Sequence, residues 1–209
     1  MTAVRALLPS LETARLRLRP FRDADLERLV EVAGQRSIAD TTVSVPHPFT
    51  AEHGRAWIAR CAAEWNAGVA AHFAVALRET PGRLMGYAAV RSIQREHGEG
   101  ELSFWLDEAH AGAGYATEAT GALLAFAFGP LDLNRVCAHH MVRNAASGRV
   151  LARIGFRREG LLRQHVRKWD VYEDVLLSAV LREDWMKERA EAPACSTGTV
   201  RTPATLGRQ

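Results

Sequence analysis

Two glycines separated by one residue, Gly112 and Gly114, precede a run of small and apolar residues that predicts a helix. An apolar run from Leu102 to Leu106, which predicts a strand, comes shortly before them. Glycines at such a turn let main-chain N–H groups approach a ligand, and the first N–H groups of a helix have no partner within it. The helix dipole makes the same end weakly positive. This stretch therefore predicts a phosphate-binding site, with a strand-to-helix turn that binds nothing as the alternative.

The spacing of the glycines argues against two common kinds of phosphate loop. The pattern Gly112-x-Gly114-x-x-Thr117 has no third glycine, so it does not complete the dinucleotide-binding fingerprint. No Gly-Lys-Ser or Gly-Lys-Thr follows it, so a nucleotide-triphosphate loop is not indicated either. The segment Gly-Ala-Gly-Tyr-Ala-Thr-Glu-Ala, residues 112–119, resembles instead the pyrophosphate-binding segment of the GNAT acetyltransferases. The resemblance is in particular to the RimJ/RimL branch, which acetylates protein N-termini.

This resemblance implies acetyl-CoA as the cofactor, with CoA as the product, and a pyrophosphate held by main-chain N–H groups. The residues that it assigns to cofactor binding in this segment are Ala111, Gly112, Ala113, Gly114, Tyr115, Ala116 and Thr117. Family members usually carry Arg, Gln or Trp where this chain has Ala111, and often Lys or Arg where it has Ala113. The N–H groups are unaffected by this departure, but a side-chain contribution to phosphate binding is missing.

A second stretch, residues 142–156, strengthens the resemblance. Family members carry an Asn, a Ser three residues later and an apolar helix ending in Gly-Phe, which correspond here to Asn144, Ser147 and Gly155-Phe156. The resemblance implies that Asn144 contacts the pantetheine arm or its ordered water and that Ser147 lies near the thioester sulfur. Arg149, on the same predicted helix, is assigned to cofactor binding with them. The structural alternative is that Asn144 caps the helix and Ser147 fills its first turn.

Acetyl transfer from a thioester to an amine needs a neutral amine, a stabilised oxyanion and a protonated leaving thiolate. At pH 7, freeing the lone pair costs about 1.4 kcal/mol for an α-amino group and about 5 kcal/mol for lysine, because lysine has the higher pKa. The resemblance implies that main-chain N–H groups of the strand Leu102 to Leu106 stabilise the oxyanion, with Phe104, Trp105 and Leu106 assigned to the cofactor. Ser147 is the candidate for protonating the thiolate, as a relay from water.

Two residues are candidates for the base that deprotonates the amine. Glu101 is the first, because it begins the strand that would run beside the thioester, and its side chain shares a face with Ser103. A solvated glutamate at a strand end is the structural alternative. His165 is the second, because it lies near the C-terminal hairpin, a region that lines acceptor sites in this family. His72 and His139 are predicted to be structural.

Hydrophobic patterning gives the elements that must position these residues. Their order is a strand, two helices, three strands, a helix, a strand, a helix and two strands, which predicts an α/β (α+β) fold with helices on both faces of a mixed sheet. The resemblance, which covers about residues 12–185, makes this the GNAT acyl-CoA N-acyltransferase fold, with a twisted, mostly antiparallel central sheet. We expect a lead-in at residues 1–11, one domain over residues 12–187 and a flexible tail at residues 188–209.

Three local expectations complete this description. Residues 15–19 alternate between arginine and leucine, which predicts a half-buried strand with the arginines outward. Residues 37–49, with Pro46 and Pro48, are expected to form an irregular loop. Residues 181–185 (Leu-Arg-Glu-Asp-Trp) resemble part of the closing strand of the RimJ/RimL branch.

Composition favours a globular protein in a reducing compartment and gives no indication of a nucleic-acid partner or a membrane span. Hydrophobic residues make up 47% of the chain, which is enough for a core, and 24% are charged, as in ordinary soluble proteins. The net charge of +3 comes with no block of like charge, so a nucleic-acid partner is not expected. No apolar run approaches the length of about 18 residues that indicates a membrane span. The cysteines, Cys61, Cys137 and Cys195, fit neither a disulfide framework nor a metal site and favour a reducing cytoplasm.

The leading functional hypothesis is acetyl transfer to the N-terminal α-amine of a protein or peptide, by direct attack in a ternary complex. Two alternatives stay open. One is transfer to a small amine, such as a polyamine, an amino sugar or an antibiotic. The other is a CoA-binding module without turnover, which the alanines at 111 and 113 would explain. In either enzyme the acceptor would be recognised by the two N-terminal helices and residues 37–49, and the chain would act as a monomer or a homodimer.

Overall fold

The computed structural model describes residues 7–191 of the 209-residue chain. The strands, in chain order, are β1 (Leu11–Glu12), β2 (Leu16–Arg19), β3 (Ala71–Leu77), β4 (Leu84–Gln94), β5 (Glu99–Leu106), β6 (Arg135–Met141), β7 (Arg157–Lys168) and β8 (Val171–Leu181). The α-helices are α1 (Leu26–Ala33), α2 (Arg36–Thr41), α3 (Ala51–Ala67), α4 (Tyr115–Phe128), α5 (Ala145–Arg153) and α6 (Arg182–Glu191). Short 3₁₀ turns at Asp23–Asp25 and Glu108–His110 precede α1 and α4.

All the strands of residues 7–191 belong to one sheet, in the order β1-β2-β3-β4-β5-β6-β8-β7. Every neighbouring pair is antiparallel except β5 and β6, which are parallel. A parallel pair needs a crossover connection between its strands, and here α4 provides it. The sheet is therefore mixed and mostly antiparallel, as predicted.

The parallel pairing of β5 and β6 is short. It joins Glu99 to Arg135, Gly100 to Val136 and Glu101 to Cys137, and it ends there, although both strands continue. Beyond Glu101 the strands separate, so the rest of β5 has no strand partner on that side. This opening in the middle of the sheet is the feature that positions the site.

Helices cover both faces of the sheet. On one face, α4 buries Leu123 and Phe126 in a cluster that contains Leu102 of β5. On the other face, α1 and α3 cover a second cluster, which includes Trp57 of α3 and Trp105 of β5. Leu102 and Trp105 differ by an odd number of positions, so the alternation of side chains along a strand sends them to opposite faces.

Several predicted elements are confirmed. The strand and the helix predicted to follow α4 are present as β6 and α5, and α5 carries Ser147 and Arg149 as expected. Helix α5 is followed by Gly155, whose φ of +89° is the left-handed conformation expected of a glycine after a helix. None of the helices in the part of the chain that the structure describes is both long and apolar enough to cross a membrane.

The structure corrects two expectations about the N-terminal half. Arg19 does not point outward: its side chain is 1% exposed and donates two hydrogen bonds to Asp25. Residues 37–49 are not wholly irregular, because α2 occupies the first part of this range and buries Ile38 and Ala39. A helix of this length shows too little periodicity to be recognised from its sequence.

The C-terminal boundaries also differ from the prediction. Strand β8 ends at Leu181, and the following residues, which resemble part of a closing strand, begin helix α6 with Trp185 buried against Phe128. The last turn of α6 includes Glu188, where the flexible tail was expected to begin. Residues 192–209 lie outside the described part of the chain. At the other end, Leu11 belongs to β1 rather than to a lead-in.

Candidate active site

A cavity of about 770 Å³ lies at the opening between β5 and β6. All of the residues that the sequence analysis assigns to the site line this cavity, except Ala113. They are Glu101, Phe104, Trp105, Leu106, Ala111, Gly112, Gly114, Tyr115, Ala116, Thr117, Asn144, Ser147, Arg149 and His165. The two motifs and the two candidate bases are thus brought to one place by the fold.

The glycine turn before α4 has a geometry that only glycines adopt without strain. Gly112 and Gly114 have φ values of +76° and +82°, and Gly114 is the N-cap of α4, with no side-chain capping hydrogen bond. The main-chain N–H groups of residues 112–117 have no hydrogen-bond partner within residues 7–191. A Cβ atom added at Gly112 would meet no atom within 4 Å, and one added at Gly114 would meet Arg15 Nη2 at 3.5 Å, so neither glycine is tightly packed. The turn therefore presents a row of free donors at the positive end of a helix.

Glu118, in the first turn of α4, fixes this turn to the connection between β1 and β2. Its carboxylate accepts hydrogen bonds from Thr13 Oγ1 at 2.6 Å, from the main-chain N–H of Arg15 at 2.8 Å and from Arg15 Nε at 2.6 Å. The Arg15 side chain also donates to the carbonyl oxygen of Ala113 at 3.0 Å and lies 4.4 Å from the centroid of the Tyr115 ring. Burial alone would raise the pKa of Glu118, but the bonds from Thr13 and Arg15 outweigh it and hold this pKa below its usual value.

The segment between β5 and the turn is held by Asp107. This buried carboxylate pairs with Arg28 of α1, accepts from Gln35 Nε2 at 2.8 Å and caps the 3₁₀ turn through the N–H of Ala109 at 3.1 Å. Burial would raise its pKa, yet these hydrogen bonds and the charge of Arg28 lower it. Asp107 and Glu118 are positioning residues that the sequence analysis did not identify, because their partners lie far away in the chain.

The second motif forms the opposite wall. Asn144 is the N-cap of α5, as predicted, and its Oδ1 accepts a hydrogen bond from the N–H of Ser147 at 3.2 Å. The cap holds the first turn of α5 at the cavity, where Ser147 and Arg149 line it. Arg153, one turn further along the helix, also lines the cavity. These two arginines add positive charge to the lining of the cavity.

A polar cluster lies at the other end of the cavity, where β5 and β6 begin to separate. Glu101 Oε1 accepts a hydrogen bond from Arg91 Nη2 at 2.7 Å and lies 3.3 Å from Nδ1 of His139. The rings of His139 and His165 are stacked, with centroids 6.3 Å apart and planes 18° from parallel. Burial would raise the pKa of Glu101, but the hydrogen bond from His139 and the charge of Arg91 lower it.

His139, which is predicted to be structural, lines the cavity beside Glu101. The parallel register explains this position. Glu101 is opposite Cys137, and His139 shares the face of Cys137 two residues further along β6. The sequence carries the alternation within β6, but it does not show that β6 runs beside β5. His72, in contrast, is buried between Glu64 and Tyr87, with hydrogen-bond distances of 2.5 and 3.0 Å.

Part of the predicted acceptor region, residues 37–44, covers this end of the cavity. We call it the roof segment. Ser37, Ile38, Thr41, Thr42, Val43 and Ser44 line the cavity. The tip of the β7–β8 hairpin holds this segment, because Lys168 Nζ donates to the carbonyl oxygen of Val45 at 3.0 Å and Trp169 Nε1 donates to Asp40 Oδ1 at 2.8 Å. This end of the cavity therefore lies between the segment after α2 and the β7–β8 hairpin.

Comparison with known proteins identifies the family. The family described as Acetyltransferase (GNAT) domain matches residues 15–157. This match covers more than half of the chain, from β2 through both motifs. The chain belongs to the GNAT acetyltransferase family.

Individual relatives are similar over shorter stretches. The probable N-acetyltransferase YjcK of Bacillus subtilis (strain 168) is 41% identical over 83 residues, which is 40% of this chain and 46% of that protein. The ribosomal-protein-serine acetyltransferase of Escherichia coli (strain K12) is 34% identical over 96 residues, which is 46% of this chain and 54% of that protein. The matched regions thus span about half the length of these two relatives.

The fold also has a close counterpart among solved structures. The structure of Mycobacterium smegmatis RimJ in complex with CoA-disulfide superposes with a TM-score of 0.77 at 23% identity, over 84% of this chain and 88% of that chain. At this identity the likeness concerns the fold. The predicted family, the RimJ/RimL-like fold and the enzyme class stated by the family's name are confirmed.

Proposed function

We infer that this protein transfers an acetyl group from acetyl-CoA to a primary amine, and that the amine is the N-terminal α-amino group of a protein or peptide. The observation that carries this proposal is the row of unpaired N–H groups at residues 112–117, at the end of a cavity that also contains a carboxylate and two histidines. The unpaired N–H groups suit the binding of a diphosphate. The carboxylate and the histidines suit proton transfer from an amine.

The residues present fit CoA. The N–H groups of residues 112–117 would hold its diphosphate, and the small side chains at 111 and 113 leave that surface free. Asn144 and Ser147 would lie beside the pantetheine arm and the thioester, and Arg149 would add positive charge. Main-chain groups of Leu102 to Leu106, which lack a strand partner on one side, would contact the thioester carbonyl. Bound acetyl-CoA would supply the acetyl group as an activated thioester.

The chain departs from its family at Ala111 and Ala113, and this affects the strength rather than the kind of binding. A charge-assisted hydrogen bond contributes about 1.5–3 kcal/mol to the free energy of binding. Without a cationic side chain at 111 or 113, the diphosphate is bound less tightly. Arg149 and Arg153, on the opposite wall, compensate in charge. The site therefore suits an enzyme that binds and releases its cofactor in each cycle.

The acceptor end favours a single α-amine over a polycation. Asp40, the acidic residue of the roof segment, is already engaged by Arg143 and Trp169. Glu101 is likewise engaged by Arg91. With Asp40 and Glu101 paired, the acceptor end of the cavity offers little excess negative charge to a polyamine, whereas an α-amine is easier to deprotonate than a lysine. The name of the relative from Escherichia coli, a ribosomal-protein-serine acetyltransferase, agrees with this choice.

The proposal is tested by measuring free thiol released from acetyl-CoA with a panel of acceptors. The panel contains peptides with a free N-terminus and no lysine, the same peptides with a blocked N-terminus and one internal lysine, spermidine and an amino sugar. Turnover with the free N-terminal peptides alone is expected. Turnover with spermidine or the amino sugar alone would support the small-amine alternative, and acetyl-CoA binding by calorimetry without any turnover would support a binding module.

A further inference from the structure

We propose that His139 is the base that takes the proton from the acceptor amine and that Glu101 is a positioning residue that holds the His139 ring. This inference rests on the proposed function and goes beyond it, because it names the group that deprotonates the acceptor. It also reassigns Glu101, which the sequence analysis takes as the first candidate for the base.

The placement of His139 follows from the sheet. Strands β5 and β6 pair up to Glu101 and Cys137 and then separate. His139 is the first residue of β6 beyond that pairing on the same face as Glu101. Its ring therefore lies where β5 and β6 begin to separate. It lines the cavity, and a third of the side chain is exposed. A ring at this position is accessible to a ligand that enters between the strands.

The partners of His139 determine which ring nitrogen can accept a proton. Glu101 is a carboxylate and can only accept, so Nδ1 of His139 donates its hydrogen to Oε1 across the 3.3 Å that separate them. In the neutral ring, Nε2 then carries the lone pair. Within residues 7–191, Nε2 has no hydrogen-bond partner. The base position is therefore oriented and unoccupied by other side chains.

Glu101 is poorly suited to be the base itself. Its Oε1 already accepts from Arg91 and His139, and its pKa is below the usual value. A carboxylate with a lowered pKa has little affinity for the ammonium proton at pH 7. The same negative charge is useful beside an imidazole, because it stabilises the imidazolium that forms when Nε2 takes a proton.

The charged and titratable groups near His139 come from β4, β5, β6 and β7, and its partner on the neighbouring strand β8 is the apolar Leu177. Glu101 of β5 and Arg91 of β4 form the ion pair already described, and His165 of β7 is stacked on the ring. Cys137, on the same face of β6, stays a neutral thiol because burial raises its pKa to about 12. The His165 ring lies nearly parallel to that of His139, with no hydrogen bond to it within residues 7–191.

The proposed step conserves atoms and charge. One proton of the acceptor ammonium passes to Nε2 of His139, and its Nδ1–H remains on Glu101. The freed nitrogen lone pair forms a bond to the thioester carbonyl carbon, and the carbon–sulfur bond breaks with its electron pair on sulfur. A second proton leaves the nitrogen and reaches the sulfur, relayed by water or Ser147, to give the CoA thiol. The proton on His139 then passes to solvent.

Two variants and a matched control test this assignment. His139→Gln removes the base, Glu101→Gln keeps an acceptor for Nδ1–H but removes its charge, and His97→Gln removes an exposed histidine in the turn between β4 and β5. Acetyl-CoA affinity by calorimetry should be nearly unchanged in all three. For His139→Gln we expect the kcat at pH 7 to fall about 10²–10³-fold with a peptide acceptor, and the deficit to shrink towards pH 9 as the α-amine loses its own proton. His97→Gln should match the wild-type protein.

A readout independent of turnover separates a base from a structural residue. In the protein without acceptor, ¹⁵N NMR should show His139 protonated at Nδ1 when it is neutral. The Nδ1–H signal should move upfield in Glu101→Gln, because its hydrogen-bond acceptor is no longer charged. A His139→Gln variant with the wild-type kcat at pH 7, or a His139 ring that carries its hydrogen on Nε2 when it is neutral, would overturn the assignment. If the wild-type protein itself releases no thiol with any acceptor, the failure is that of the proposed function.

Discussion

Arg143 and Asp40 are 103 residues apart in the chain and meet at the end of the cavity, with Arg143 Nη1 at 2.5 Å from Asp40 Oδ2. Arg143 also donates through Nη2 to the carbonyl oxygen of Asp40 at 2.7 Å and through Nε to Glu173 at 2.7 Å. The bonds from Arg143 lower the pKa of Asp40. Arg143, which lies between β6 and α5, thus links the roof segment to the β7–β8 hairpin, next to the N-cap of α5.

Breaking this link should affect the acceptor more than the cofactor. Asp40→Ala removes the partner of both Arg143 and Trp169, so we expect the KM for a peptide acceptor to rise several-fold while acetyl-CoA affinity is unchanged. The ion pair is about a third exposed on each side, so the free energy of unfolding should fall by no more than about 1 kcal/mol. Steady-state kinetics and urea unfolding measure the two effects.

Asp132→Ala is the control, because it breaks an ion pair with Arg182 that lies away from the cavity. It should leave the acceptor KM at the wild-type value. An equal rise in KM for both variants would show that the roof does not depend on Asp40.

A substitution at Gly114 should abolish cofactor binding. Gly114→Asp imposes a φ of +82° on a residue with a side chain and places a negative charge at the helix N-terminus where the diphosphate is proposed to bind. We expect acetyl-CoA affinity, measured by calorimetry, to fall at least about 100-fold, since repulsion and strain together exceed about 3 kcal/mol.

Gly121→Ala is the matched control within the same helix. An added Cβ there meets no atom within 4 Å, and alanine favours a helix by about 1 kcal/mol over glycine. Its acetyl-CoA affinity should equal that of the wild-type protein. Unchanged affinity in Gly114→Asp would contradict the phosphate-binding role of the turn.

Much of the fold could be predicted because its determinants are local. Strand β6 follows from a short apolar run and α5 from the Asn144 cap, and the turn before α4 follows from two glycines before a helix. Each of these signals is contained within about ten residues. Over that range, hydrophobic periodicity and turn-forming residues predict secondary structure well.

The rest depends on contacts between distant segments. Arg19 was expected on the surface because the alternation of residues along a strand does not reveal a buried ion pair. The charge of Arg19 can be buried because Asp25 neutralises it. The acceptor end of the site depends on the register between β5 and β6, which brings His139 to Glu101, and on the contact of Arg143 with Asp40. Register and long-range pairing are tertiary properties, so one sequence does not reveal them.

The buried ion pair at Arg19 gives a stability prediction. Both Arg19 and Asp25 have side chains at most 2% exposed, and their two hydrogen bonds measure 2.7 Å each. Arg19→Met leaves Asp25 buried without its counter-charge, so the free energy of unfolding should fall by about 3–5 kcal/mol in urea denaturation. The double variant Arg19→Met/Asp25→Leu should recover much of this loss, because it removes both charges together. A loss below about 1 kcal/mol in the single variant would show that the pair is not needed for stability.

Glu118 gives a prediction about pH. Its pKa in the folded protein is lowered, so the folded state binds this proton less readily than the unfolded state. The stabilisation by Glu118 is therefore complete above its unfolded pKa of about 4.3 and is lost as the pH falls through the lower, folded value. Glu118→Gln should unfold more easily than the wild-type protein at pH 7 and pH 5, and the difference in free energy of unfolding should shrink at pH 4 and pH 3.

The matched control for this pH series is Glu79→Gln, an exposed carboxylate that forms no ion pair within the described range. Its difference from the wild-type protein should stay close to zero at every pH. Because Glu118 also holds Arg15 against Ala113, Glu118→Gln should weaken acetyl-CoA binding at pH 7, whereas Glu79→Gln should not. A pH-independent difference for Glu118→Gln would mean that its hydrogen bonds with Thr13 and Arg15 do not depend on its charge, and the electrostatic account of this anchor would be wrong.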